Sequence, residues 1–190
     1  MSHVKYTTDA FVIASKEHGE ADRIFKLYTK DFGMIFAIAK GVRHLKSKLN
    51  PHLGIGGRVK ISLVKGKEFW RLIEAVKYDE DNIPVRSRKH FAKIMAVVSR
   101  LVHGEEKNPE VYNSLLGLYK ALFGLPLNCL EGLELIASTK ILSGLGYSGS
   151  EELFKTIYQS SFCEEDAVLA LGEKSKIILM VNKALTHSHL

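Results

Sequence analysis

The chain has 190 residues, 46% of them hydrophobic and 25% charged, with a formal net charge of +6. This composition excludes wholesale disorder, and no run of eighteen apolar residues occurs that would make a membrane-spanning helix. Charge is unevenly placed: residues 1–78 hold fifteen lysines and arginines against seven acids, while residues 79–190 hold twelve against fourteen. The first part is therefore net +8 and the second net −2, which points to a polyanion-binding module joined to a segment with a different task.

Residues 4–16 read as a first strand, with Phe11 and Ile13 marking one face by alternation. A polar turn from His18 to Asp22 leads into a second strand over residues 23–30. There Phe25 and Leu27 project one way and Lys26, Tyr28 and Lys30 the other. An aromatic between two cations is suited to stacking a base while the charges hold phosphates; an ordinary exposed strand face is the alternative reading. Asp31, Phe32 and Gly33 turn the chain into a third strand, Met34 to Lys40, and the two strands are expected to pair as an antiparallel hairpin.

Beyond Gly41 comes the most basic stretch. Lys40, Arg43, Lys46 and Lys48 crowd together with His44 among them, and no carboxylate lies between Asp31 and Glu68. Such self-repelling cations need an anionic partner or free solvent, and their setting beside a strand pair favours a groove that tracks a nucleic-acid backbone. Residues 42–57 are otherwise irregular. Arg58 to Val64 alternates strictly, with Val59, Ile61 and Leu63 inward and Arg58, Lys60 and Ser62 outward. Lys65, Gly66 and Lys67 make a turn before a fifth strand, Glu68 to Tyr78. Trp70 shares a side there with Leu72 and Val76 and is expected in the core or at a domain interface. Five short strands with a basic outer face predict a small closed β-barrel of the OB type.

The period then changes. An acidic link, residues 79–84, ends in Pro84 and marks a domain boundary. From Val85 to about His103, Phe91, Ile94, Met95, Val98, Leu101 and Val102 recur at helical spacing. Asn108 caps a second helix with Pro109 at its first position. Pro126 opens a third that runs to about Leu145 and closes at Gly146. Ser150 begins a short fourth, and Glu164 to about Leu185 makes a fifth.

Gly144, Gly146 and Gly149 spell the dinucleotide fingerprint, but a helix precedes them where a strand is required, so a helix cap is the better reading. No Walker loop, nucleophile elbow or zincin motif occurs. Glu17, Glu20 and Asp22 are expected to offset neighbouring cations rather than to do acid–base chemistry. Cys129 and Cys163 are far apart, without metal-ligand spacing, and His187 and His189 lack a third ligand, so neither zinc nor a disulfide is expected. No signal peptide is recognised at the start, which makes the cytoplasm the expected compartment.

Two stretches carry a family resemblance. Gly19, Glu20, Asp22, Arg23, Ile24, Leu27, Thr29 and Gly33, followed by Ala39, Lys40, Gly41, Arg43, Lys46, Ser47 and Leu49, resemble the N-terminal signature of RecO, a bacterial recombination mediator. The later Leu142, Leu145, Gly146 and Tyr147 also fit. The resemblance implies an OB-fold barrel over 1–78, an all-helical domain over 79–190 for partner interactions, no enzymatic turnover and no cofactor. It further implies binding to single- and double-stranded DNA and annealing of complementary strands. With the partner RecR it implies loading of RecA onto strands coated by SSB, whose acidic C-terminal tail would be taken up by the helical domain. The candidate DNA-binding set is then Arg23, Lys26, Tyr28, Lys30, Lys40, Arg43, His44, Lys46, Lys48 and Lys60. The chain departs from many relatives in one respect: Ser148, Gly149, Ser150 and Glu151 stand where those carry a cysteine pair for zinc.

Overall fold

A computed structural model describes residues 4–78, 83–147 and 152–187. The acidic link and the segment that replaces the cysteine pair lie largely outside the described residues. Two compact units are present: residues 1–82 with 103–107, and residues 83–102 with 108–190. The first is an α+β protein's barrel domain built from β1 (Lys5–His18), β2 (Asp22–Thr29), β3 (Gly33–Ala39), β4 (Arg58–Val64) and β5 (Trp70–Lys77). The strands close in the order β1-β2-β3-β5-β4, antiparallel except for a short parallel β3–β5 contact. The expected five-stranded OB-type barrel is the fold observed.

Alternation decides what fills the barrel. Ala10, Val12, Phe25, Leu27, Ile35, Ala37, Val59, Ile61, Leu63, Trp70, Leu72 and Ala75 form one interior cluster. Trp70 is thus a core residue, with Tyr6 and Phe32 against it at ring-centroid separations of 5.5 and 5.2 Å. The pairing of β4 with β5 shifts register after Ser62, so the alternation along β5 inverts between Leu72 and Ala75. This bulge turns Val76 outward, where it is exposed, and corrects the expectation that it shares the Trp70 side. A second shift, between Val12 and Ala14, does the same to β1.

The segment His103–Lys107 belongs to the barrel unit although the helix sequence surrounds it. Trp70 Nε1 donates to the Glu105 carboxylate at 2.8 Å, and the Met34 amide donates to the Gly104 carbonyl at 3.1 Å. Lys107 pairs with Asp31 at 3.4 Å. The Thr8 hydroxyl, and after it Lys107, holds the Asp31 carboxyl below its ordinary range. Gly33, at φ +66°, is where the segment comes closest: a Cβ there would sit 2.2 Å from the Glu106 carbonyl oxygen.

The second unit is all helical among the described residues: α1 (Val85–Leu101), α2 (Pro109–Gly124), α3 (Leu130–Gly144), α4 (Glu152–Gln159), α5 (Glu164–Gly172) and α6 (Lys174–His187). Asn108 accepts from the Val111 amide at 3.0 Å, the cap that the Asn-Pro pair predicts. Leu130, Leu133, Ile136, Ala137, Thr139, Ile141 and Leu142 bury α3 on nearly every side, and the other five helices all touch it. It ends in a Schellman motif: Tyr147 N–H bonds to the Leu142 carbonyl, Gly146 N–H to that of Ser143, and Gly146 has φ +84°. The glycines that mimic a dinucleotide fingerprint are therefore helix-ending residues as far as Gly146, with Gly149 outside the described part. The single helix expected over 164–185 is two. The chain breaks at Glu173, which lets Ala170 and Ile177 both reach the cluster around Leu135 and Ile136.

Gly33→Ala should cost at least about 2 kcal/mol, because backbone strain and a backbone clash coincide. Gly19→Ala, at φ +57° with no atom within 4 Å of its Cβ, should cost only about 1 kcal/mol. Chemical denaturation followed through Trp70, the only tryptophan, measures both.

Candidate nucleic-acid interface

The outer side of the barrel is read from register. Because Phe25, Leu27, Ile35 and Ala37 point inward, the residues between them point out. Ala14, Lys26 and Phe36 form one outward row across β1, β2 and β3. Lys16, Ile24, Ile38 and Arg71 form the next, which runs on to β5. Phe36 is 47% exposed, a large value for an aromatic in the middle of a strand. The Lys26 ammonium stands 5.9 Å from the centre of its ring, and burial of the lysine lowers its pKa. Lys16 and Arg71 are exposed cations flanking Ile24 and Ile38. An apolar and aromatic surface edged by cations results.

A third outward row is closed. Phe11, Tyr28 and Met34 stand side by side in register and all three are buried, Tyr28 at 0% exposure. Tyr28 is on the outward side, as its alternation with Phe25 and Leu27 predicts, yet it offers no ring face to a base. This row lies nearest the β2–β3 turn, where the Gly104 carbonyl receives the Met34 amide. The exposed ring expected at Tyr28 is thus corrected, and the open aromatic of this face is Phe36, one row away.

The basic stretch is a fixed lid on one end of the barrel and not a loose loop. Val42 is fully buried in the interior cluster, Leu53 joins it, and Leu49 packs against it. Gly41 N–H donates to Asp22 Oδ1 at 2.7 Å, and Arg43 N–H to the Ala21 carbonyl at 2.9 Å. With Val42, Leu49 and Leu53 turned in, Lys40, Arg43, His44, Lys46 and Lys48 are left exposed outside. Glu17 ties two arginines to this end, with Arg43 at 3.4 Å and Arg23 at 3.7 Å. The Arg43 guanidinium also donates to the Gly19 carbonyl at 3.4 Å. Glu17 therefore offsets neighbouring cations, as expected of it, whereas Asp22 holds the backbone of Gly41.

Tertiary structure thus gathers part of the candidate set. Arg23 pairs in register with Ala39, so Arg23 and the Lys40–Lys48 stretch share one end of the β2–β3 hairpin, with Lys26 midway along it. Lys30 is exposed at the opposite end, roughly 20 Å away at about 3.3 Å per strand residue. Lys60 is exposed on β4, between Asp9 and Val76 in register, and β4 borders neither β2 nor β3. Phe36, Lys16 and Arg71 escaped sequence reasoning. β3 is apolar throughout, so alternation gives no outside to read there. Only the Lys26–Phe36 register, set by the turn at Asp31 to Gly33, places that ring beside a cation.

Among the described residues no three His, Cys, Asp or Glu side chains are grouped to hold a metal ion. Cys129 is buried and Cys163 half-buried.

Residues 1–78 match the family model for the recombination protein O N terminal domain. A protein named DNA repair protein RecO from Dehalococcoides mccartyi is 31% identical over 121 residues, covering 62% of this chain and 47% of the relative. Its namesake from strain CBDB1 of that species is 29% identical over 148 residues, covering 75% and 56%. The namesake from Desulfitobacterium hafniense is 42% identical over 62 residues, covering 33% and 23%. The chain spans about half the length of the Dehalococcoides relatives it matches.

The two aromatics should separate cleanly in stability. Tyr28→Ala empties a fully buried site and should cost about 3 kcal/mol or more, whereas Phe36→Ala should cost less than about 1 kcal/mol. Urea denaturation of both variants tests the assignment of covered and open rows.

Proposed function

We propose that this chain is a member of the RecO family, to whose N-terminal model and named relatives it is similar, that it binds DNA across the outer face of β2 and β3 and along the basic lid, and that it serves DNA repair and recombination without catalytic turnover. The observation that carries this reading is the exposed Phe36 ring beside Lys26, continuous with the cations of residues 40–48. A ring can stack on any base, and lysines neutralise phosphates whatever the sequence. OB barrels bind oligonucleotides on this strand 2–3 face. Such a surface accepts single strands first, since their bases are free to stack, and duplexes through the lid cations alone.

Annealing follows from the same physics. Neutralised phosphates lower the repulsion between two complementary strands, and base pairing supplies the selectivity. On the family reading, the chain works in the cytoplasm with RecR and helps RecA onto SSB-coated strands. The helical unit offers one feature suited to an acidic, aromatic SSB tail. Half-buried Lys140 lies 5.4 Å from the ring centre of Tyr158 and 6.0 Å from that of Phe162. Burial lowers its pKa against the opposing charge of Asp166, and its ammonium donates to the Tyr158 carbonyl, so an incoming carboxylate would meet a positioned cation. Lys140→Ala in the full chain should weaken binding of an SSB-tail peptide about tenfold in a fluorescence titration; unchanged affinity removes Lys140 from the site.

Among the described residues Lys40, Lys46 and Lys48 make no ion pair, whereas Arg43 already shares Glu17. If these four each meet a phosphate, log affinity for single strands should fall with log salt at a slope of about −3, from ~0.7 per contact. Lys46→Ala with Lys48→Ala should flatten that slope by roughly 1.4. Phe36→Ala should instead cost roughly 1–3 kcal/mol and leave the slope unchanged. A folded double variant with wild-type affinity and slope would sink the lid as a DNA contact. Preference for structured RNA over single-stranded DNA at equal salt would change the substrate.

A further inference from the structure

We propose that Leu45 is an apolar wedge that inserts between two neighbouring bases of a bound DNA strand and unstacks them. This rests on the reading of the barrel as a DNA-binding domain. Leu45 sits at the tip of the basic lid at 105% relative exposure, the highest of any large hydrophobic residue among those described. A single exposed leucine on a surface is ordinary. This one is held out by a backbone with little freedom to fold it back.

Four anchors hold the tip. Val42 is buried in the barrel cluster, with Leu49 packed against that cluster on the far side of the tip. Asp22 Oδ1 and the Ala21 carbonyl receive the amides of Gly41 and Arg43. Two consecutive turns then follow, His44 N–H to the Gly41 carbonyl at 3.2 Å and Ser47 N–H to the His44 carbonyl at 2.9 Å. Around the leucine stand Arg43, His44, Lys46 and Lys48, all exposed. An apolar protein surface would have to strip water from those cations to reach Leu45. A nucleic-acid strand neutralises them and presents base faces beneath its phosphates, so charge complementarity selects the occupant. Rigid apolar side chains inserted at a base step, with cations holding the adjacent backbone, are a recurrent way to unstack nucleic acid.

The test uses the full chain and a single-stranded oligonucleotide carrying 2-aminopurine at its centre, whose emission rises when the base is unstacked. Wild type should bind and raise that emission. Leu45→Ala should melt at the wild-type temperature, lose most of the rise, bind about tenfold more weakly and keep the same salt slope. Leu45→Phe should retain the rise. If Leu45→Ala matches wild type in both emission and affinity while Lys46→Ala with Lys48→Ala binds poorly, the wedge is overturned and the DNA-binding reading stands. Failure of the wild-type chain to bind the oligonucleotide overturns both.

Discussion

The barrel closes through a narrow seam. Between β3 and β5 the register has only two partners, Ala37 with Trp70 and Ile38 with Arg71, and it is the one parallel contact in an otherwise antiparallel sheet. A five-stranded sheet left open there would expose two edges and an apolar interior. Closure places Trp70 inside, against Tyr6 and Phe32, and brings Arg71 into the outward row with Ile24 and Ile38. The seam therefore creates the core and the continuous surface in one step.

The lid depends on that closed interior. Val42 and Leu53 are anchored because the cluster formed by the five strands is there to receive them. Once they turn inward, the lysines between them have only the outside left. Few acids offset those charges. Glu17 holds Arg23 and Arg43 at distances of 3.7 and 3.4 Å, and Asp22 spends one oxygen on the Gly41 amide. The acids at this end thus set geometry while most of the positive field stays available to a ligand.

The other end of the hairpin is organised differently. Residues 103–107 return to the barrel and bring a carboxylate to the Trp70 indole and a carbonyl to the Met34 amide. Glycine at position 33 makes room for the Glu106 backbone. On the sheet itself, Phe11, Tyr28 and Met34 are closed off while Phe36 one row away is open. The division between covered and open rows is what turns a symmetric-looking strand pattern into a one-sided surface.

Strands, helices and caps were legible in the sequence because they arise from local rules. Alternation marks β4 from Arg58 to Val64 to the residue, and Asn108 with Pro109 announces the start of α2. The rise in positive charge before residue 78 was equally plain, and so was the likeness to RecO through residues 19–49. Tertiary structure alone decided the inversion at the β5 bulge that exposes Val76, the break between α5 and α6, and the return of residues 103–107. It also decided that Tyr28 is covered and Phe36 is open. Periodicity reports which side of a strand a residue occupies, but burial depends on what else the chain lays over that side, and no local pattern encodes a contact between segments some seventy residues apart.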